Sequence, residues 1–126
     1  MNTIITKLKK IVGAEWVRTD QLTRYYYAAD VMTHFGQGAL YPENHPMAIV
    51  YPGSTKEVQG IINLARNNNL PIYPVGGGTV LLIGSIPGNP DVGITLDFHR
   101  MQDIDVFEDR MVVRAQPGAT GLQVSQ

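Results

Sequence analysis

The stretch YPVGGGTVLLIG, Tyr73 to Gly84, sets three consecutive glycines between two apolar runs. Backbone amides without Cβ atoms can converge on an anion, and a tight turn rarely needs more than one or two glycines. Gly76, Gly77 and Gly78 are therefore candidates for a phosphate cradle. Two standard cradles fail on spacing. A P-loop needs G-x-x-x-x-G-K-[ST], and no Gly-Lys pair occurs in the chain. The dinucleotide fingerprint G-x-G-x-x-G, counted from Gly76, meets Leu81 where its third glycine should stand. Asp97 lies roughly 20 residues downstream, the distance of a ribose carboxylate, but Gly84, Pro87, Gly88 and Pro90 leave no room for the intervening helix.

Other chemistry has less support. His34, His45 and His99 show neither H-x-x-x-H nor H-E-x-x-H spacing, so no metal site is expected. Ser54 reads as a helix cap, Ser85 lacks a G-x-S-x-G elbow and Ser125 stands at the chain end, which leaves hydrolysis without a nucleophile. Asp103, Asp105, Glu108 and Asp109 are spread over strand edges and a turn, where carboxylates are solvated. Tyr25, Tyr26 and Tyr27 are consecutive on a helical turn and point in different directions, which suits packing rather than a stacking platform. No residue is assigned a catalytic role.

Composition narrows the class further. The 126 residues, 44% of them apolar, are read as a single globular domain. Ten Lys and Arg against eleven Asp and Glu give no basic track for nucleic acid or an anionic membrane. The absence of cysteine excludes disulfides and thiolate nucleophiles and fits a reducing compartment. The opening MNTIITKLKKIVGAEW has no long apolar core, so neither a signal peptide nor a membrane span is expected, and the location is read as cytoplasmic.

The elements that must position the glycines follow from periodicity. Ile4, Ile5, Leu8, Ile11 and Val12 predict a helix stopped by Gly13, and Asp20 caps a second from Gln21 to Tyr27. Residues 34–46 read as loop. Met47 to Tyr51 predicts a strand ended by Pro52-Gly53. Ser54 and Glu57 form a capping box before Val58, Ile61, Ile62 and Ala65, and Asn67 to Asn69 close that helix. Leu70 to Pro74 completes a strand, helix, strand unit with a right-handed crossover. Val92 to Phe98 predicts another strand, and Ile104 to Phe107 with Met111 to Ala115 an antiparallel hairpin. Thr120 and Gln123 form a final capping box, a helix start that the chain end at Gln126 cuts short, as in a truncated chain or fragment.

Tyr51 to Thr79, YPGSTKEVQGIINLARNNNLPIYPVGGGT, resembles the N-terminal half of the FAD-binding domain of flavin-linked oxidases and dehydrogenases. The family includes vanillyl-alcohol oxidase, glycolate oxidase and D-lactate dehydrogenase and carries the PCMH-type FAD-binding fold. GITLDFHRM resembles its strand ending in D-L-x-R-M, VVRAQPGAT its P-G-V segment, and TRYYYAADVM its R-x-x-Y-x-x-D opening. GGGTVLLIG is also similar to the G-G-G-x-N-L-L loop of a flavin reductase of cell-wall synthesis.

The resemblance implies that backbone amides of Val75, Gly76, Gly77, Gly78, Thr79, Val80 and Leu81 carry the FAD pyrophosphate, that Gly84 is the kept glycine of the loop's second half, and that Pro117 and Gly118 contact the flavin. Val80, Leu82 and Ile83 replace the family's usual Gly, Ser and Gly. Thr79 stands where covalently attaching members carry His, which implies non-covalent FAD. The implied fold is α+β: the N-terminal lobe of a PCMH-type FAD-binding domain, with a small mostly parallel sheet, flanking helices and an antiparallel hairpin. Residues 1–126 would form one domain lacking the second lobe and the substrate cap. The implied function is the FAD-binding part of an oxidoreductase acting on a 2-hydroxy acid such as glycolate or lactate, or on an alcohol, with its small-molecule substrate held by the missing domains. The alternative is a non-catalytic fragment or interaction module that has lost its flavin. In either case the exposed lobe surface is expected to favour self-association.

Overall fold

The apolar spacing from Ile4 to Val12 closes into helix α1 (Asn2–Val12) in the computed structural model, which describes residues 2–28, 44–79, 87–88 and 92–126. Gly13, at φ 98, ends it in a conformation that L side chains rarely adopt. A single 3-10 turn, Ala14–Trp16, leads into the short strand β1 (Val17–Arg18). Asp20 then caps helix α2 (Gln21–Tyr26), accepting from the Thr23 amide at 3.1 Å and the Thr23 hydroxyl at 2.6 Å. The Arg18 guanidinium bonded to it, helped by Thr23, holds the Asp20 carboxyl well below the usual carboxylate range.

Strand β2 (Ala48–Val50) is wholly buried, and Pro52-Gly53 turns the chain into helix α3 (Thr55–Asn67). The predicted capping box is formed one residue out of place. Ser54 Oγ accepts from the Glu57 amide at 3.2 Å, but the Glu57 carboxylate accepts from the amide of Gly53. Arg100 explains the pull: its guanidinium lies 3.7 Å from Glu57, donates to Tyr51 O at 2.7 Å and sits 3.9 Å over the Trp16 ring. A Cβ at Gly53 would come within 2.6 Å of that guanidinium. Asn69, at φ 51, supplies the left-handed residue that lets the chain leave α3.

Strand β3 (Ile72–Val75) and strand β4 (Ile94–Asp97) complete a four-stranded sheet of order β1-β2-β4-β3, in which only β1 is antiparallel. The strands on either side of α3 are therefore not neighbours. β4 lies between them, pairing Ile49 with Thr95 on one side and Tyr73 with Thr95 on the other. Pro74 falls inside β3 because β3 is an edge strand. The Ile94 and Phe98 amides donate to Pro71 O and Val75 O, so alternate residues of β3 bond to β4 and Pro74, without an amide proton, faces the edge that no described strand pairs with.

Ala48, Val50, Ile94 and Leu96 share the sheet face that packs on α1 and α3 through Leu8, Val12, Ile61 and Ala65. Leu8 and Ile61 are fully buried, and each such side chain contributes about 1.5–3 kcal/mol by leaving water. Thr95 and Asp97 turn to the opposite face.

A separate two-stranded sheet is the predicted hairpin, β5 (Ile104–Phe107) with β6 (Val112–Ala115). Met111 belongs to its turn rather than to the strand, at φ 52 after the 3-10 turn Glu108–Arg110. Both arms of the Thr120 and Gln123 capping box form at the start of helix α4 (Gly121–Val124). Sheet, helices and hairpin agree with the expected α+β class. The loop expected over 34–46 falls largely outside the described residues.

Arg24 fastens α2 to the segment before β2. Its Nε donates to Pro46 O at 2.7 Å and its Nη2 to His45 Nδ1 at 2.6 Å. Burial first, and the Arg24 charge second, hold the His45 imidazole below its ordinary 6.5. Unfolded His45 thus binds a proton more readily than folded His45, so this contribution to stability is full above pH 6.5 and is lost as pH falls below it. Urea unfolding should show a midpoint that declines between about pH 7 and pH 5, and less steeply in His45→Gln. Parallel pH slopes for the two proteins would remove His45 as the cause.

Candidate functional site

The carboxyl ends of β2, β4 and β3 lie side by side, the position at which open parallel sheets present loops to ligands. Val75, the last residue of β3, pairs with Asp97, the last of β4, and Phe98 N donates to Val75 O at 2.9 Å. The glycine loop therefore starts at the sheet's edge, one residue beyond its last pair.

Two of its glycines answer to the protein itself. A Cβ on Gly76 would stand 2.8 Å from Pro117 O, and one on Gly77 would stand 2.9 Å from Thr120 Cγ2. Gly78 differs: no described residue stands within 4 Å of where its Cβ would be, and its φ is 70. Among the described residues, the amides of Gly76, Gly77 and Gly78 donate to no backbone carbonyl. Gly77, Gly78 and Thr79 are exposed. An exposed loop with unspent amides and an unobstructed glycine fits an anionic group such as a pyrophosphate.

Pro117 and Gly118, a second segment singled out from sequence, meet this loop directly. Gly118 is buried, its amide donates to Met101 O at 2.8 Å, and a Cβ there would fall 2.0 Å from Phe98 O. Five loop positions, Val75 to Thr79, and the Pro-Gly pair thus converge at one edge of the sheet. Val80, Leu81 and Gly84 lie outside the described residues.

Sequence reasoning missed the polar group beneath this junction. Asp97 is almost fully buried and accepts from the Tyr27 hydroxyl, from the His99 amide at 2.9 Å and from His99 Nδ1 at 2.9 Å. Burial, followed by the Asp97 and Tyr51 interactions, raises the Tyr27 phenol, so it remains a donor. Tyr51 meets the half-exposed His99 ring edge-on at 4.8 Å. The missed signal was the pairing of two motifs: Tyr27, read for packing, is the tyrosine of R-x-x-Y-x-x-D, and Asp97, weighed as a ribose carboxylate, is the aspartate of D-F-H-R-M. Both oxygens of Asp97 are engaged within the chain and the group is nearly buried, so it is poorly placed as a ribose acceptor. Thr95 Oγ1, also buried, has no hydrogen-bond partner among the described residues.

Among the described residues, no group of His, Asp and Glu is placed to hold a metal ion, and no helix is long and apolar enough to cross a membrane.

A family model described as an FAD binding domain matches residues 46–126. The chain is 32% identical to a D-2-hydroxyglutarate dehydrogenase of Stutzerimonas stutzeri, over 98% of this chain and 25% of that protein. It is 26% identical to a glycolate oxidase subunit GlcD of Bacillus subtilis, over 94% of this chain and 23% of the subunit. In fold it is similar to substrate-bound p-cresol methylhydroxylase, with a TM-score of 0.79 at 20% identity, covering 98% of this chain and 23% of that one. The chain spans about a quarter of the length of these relatives. The expected PCMH-type fold is the fold found.

The glycine contacts separate two kinds of substitution. Gly118→Ala meets backbone, which cannot step aside, and should cost about 2–3 kcal/mol or abolish folding. Gly78→Ala meets none of the described residues and should cost about the left-handed strain, about 1 kcal/mol. Urea denaturation compares them, and equal losses would contradict the distinction.

Proposed function

The chain belongs to the FAD binding domain family, and from that premise we propose that Val75, Gly76, Gly77, Gly78 and Thr79 carry the pyrophosphate of FAD on backbone amides. Val80, Leu81 and Gly84 continue the loop in this reading, and Pro117 and Gly118 contact the flavin. The observation that carries it is the junction itself: unspent glycine amides at the carboxyl edge of a parallel sheet, with Gly78 open to an approaching group. Thr79, in place of an attaching histidine, supports non-covalent binding.

FAD accepts hydride when bound, and the residues of this chain hold its phosphates and fix its orientation. The whole protein would be an oxidoreductase acting on a 2-hydroxy acid such as glycolate or lactate, or on an alcohol, a reading supported by relatives named for 2-hydroxyglutarate and glycolate. Substrate would be held by domains outside this chain, and no residue here is given a catalytic role. The cysteine-free sequence supports a reducing, cytoplasmic setting.

Specific binding must raise the melting temperature by mass action, so FAD at about 100 times its Kd should add about 2.7 kcal/mol of stability. The expected results are a dose-dependent rise in Tm and competition by ADP. No shift at saturating FAD would end the claim for this chain.

A second reading, an interaction module, is favoured by the hairpin. Val106 and Val113 face each other on one side of the ribbon and are exposed, and β6 carries neither Lys nor Pro to blunt its edge. A twofold antiparallel register centred on Val113 would set Val113 against its own copy and Arg114 against Val112. Light scattering should then report a concentration-dependent dimer that Val113→Lys abolishes. A monomer at all concentrations would exclude it.

A further inference from the structure

We infer that Asp97 is a positioning residue for the cofactor site, joining the glycine loop to the Pro117–Gly118 segment and itself held in place by Tyr27. The inference rests on the FAD reading above and adds two residues to it.

The joint is the turn after β4. Asp97 Oδ1 takes both the amide and Nδ1 of His99, bending the chain immediately past the strand. Phe98, inside that bend, faces both cofactor segments with its backbone. Its amide donates to Val75 O, the last carbonyl before the glycines, and its carbonyl is the surface on which Gly118 packs. Met101 N closes the bend onto Phe98 O at 2.8 Å, and Met101 O accepts from Gly118 N at 2.8 Å. Each segment is thus referenced to Phe98, and the orientation of Phe98 is set by the Asp97 carboxylate.

Tyr27 fixes the carboxylate from the other side. It comes from the end of α2, 70 residues away in sequence, and bonds the remaining oxygen. With three donors on a nearly buried carboxylate, Asp97 has one geometry rather than several rotamers. A ligand role is the competing explanation. The depth of the group and the three donors already packed around it speak against it, because an incoming hydroxyl would have to enter a nearly closed site.

The test uses the difference between ligands that touch one segment and those that touch both. ADP should need only the glycine loop, whereas FAD spans the loop and Pro117–Gly118. In Tyr27→Phe, which keeps the ring and removes the hydroxyl, FAD should weaken about tenfold while ADP stays within about twofold. Asp97→Asn keeps an acceptor for the His99 amide and should fall between wild type and Asp97→Ala in FAD affinity. Equal losses for ADP and FAD, or no loss of FAD in Tyr27→Phe, would overturn the positioning role. Failure of the wild-type chain to bind FAD would overturn the cofactor reading along with it.

Hydrogen exchange on the wild-type chain decides the matter if the variants do not fold. FAD should slow exchange at 97–101 and at Gly118 and Ala119 as well as at 76–79. Protection confined to 76–79 would refute the joint.

Discussion

Every functional feature of this lobe is referenced to one strand that is hydrogen-bonded on both edges. β4 is buried along its whole length between β2 and β3, and a strand so placed cannot shift register without breaking two ladders at once. Its end is therefore the most rigid point available to a loop-built site. The residues that follow it make use of this. Asp97 anchors the bend, Phe98 serves both neighbouring segments and Arg100 reaches back to Tyr51 O, Glu57 and Trp16. The run from Asp97 to Arg100 thus ties the sheet, the cap of α3, the glycine loop and the Pro117–Gly118 segment into one unit.

Local signals in the sequence were strong where one element decides its own shape. α1 follows from the spacing of Ile4, Leu8, Ile11 and Val12, α2 from the Asp20 cap, and α3 from Ser54 at one end and Asn69 at the other. What stayed hidden depended on partners far along the chain. The insertion of β4 between β2 and β3 leaves no local trace, since a strand buried on both sides reads the same wherever it pairs. Glu57 looked like half of a reciprocal box because its pull towards Gly53 comes from Arg100, 43 residues later.

The site divides in the same way. The glycines and Pro117–Gly118 were legible because close backbone approach leaves a compositional mark. The cause of that mark was not: Gly76 and Gly77 are small for the sake of Pro117 and Thr120, while Gly78 meets none of the described residues. Tyr27 and Asp97 were hidden by their ordinariness, a tyrosine among three and an aspartate ending a strand, until the fold set them against each other.

Pro74 carries a consequence for how the lobe meets other molecules. The outer edge of β3 lacks a donor at the residue next to the one that opens into the glycine loop, so an approaching strand finds a broken ladder there. The hairpin edge offers an intact one. Strand exchange and aggregation are thereby steered away from the outer edge of β3 and towards the hairpin. The proline acts as a guard rail for the loop, keeping the edge that leads into the glycines from being zipped into a neighbour.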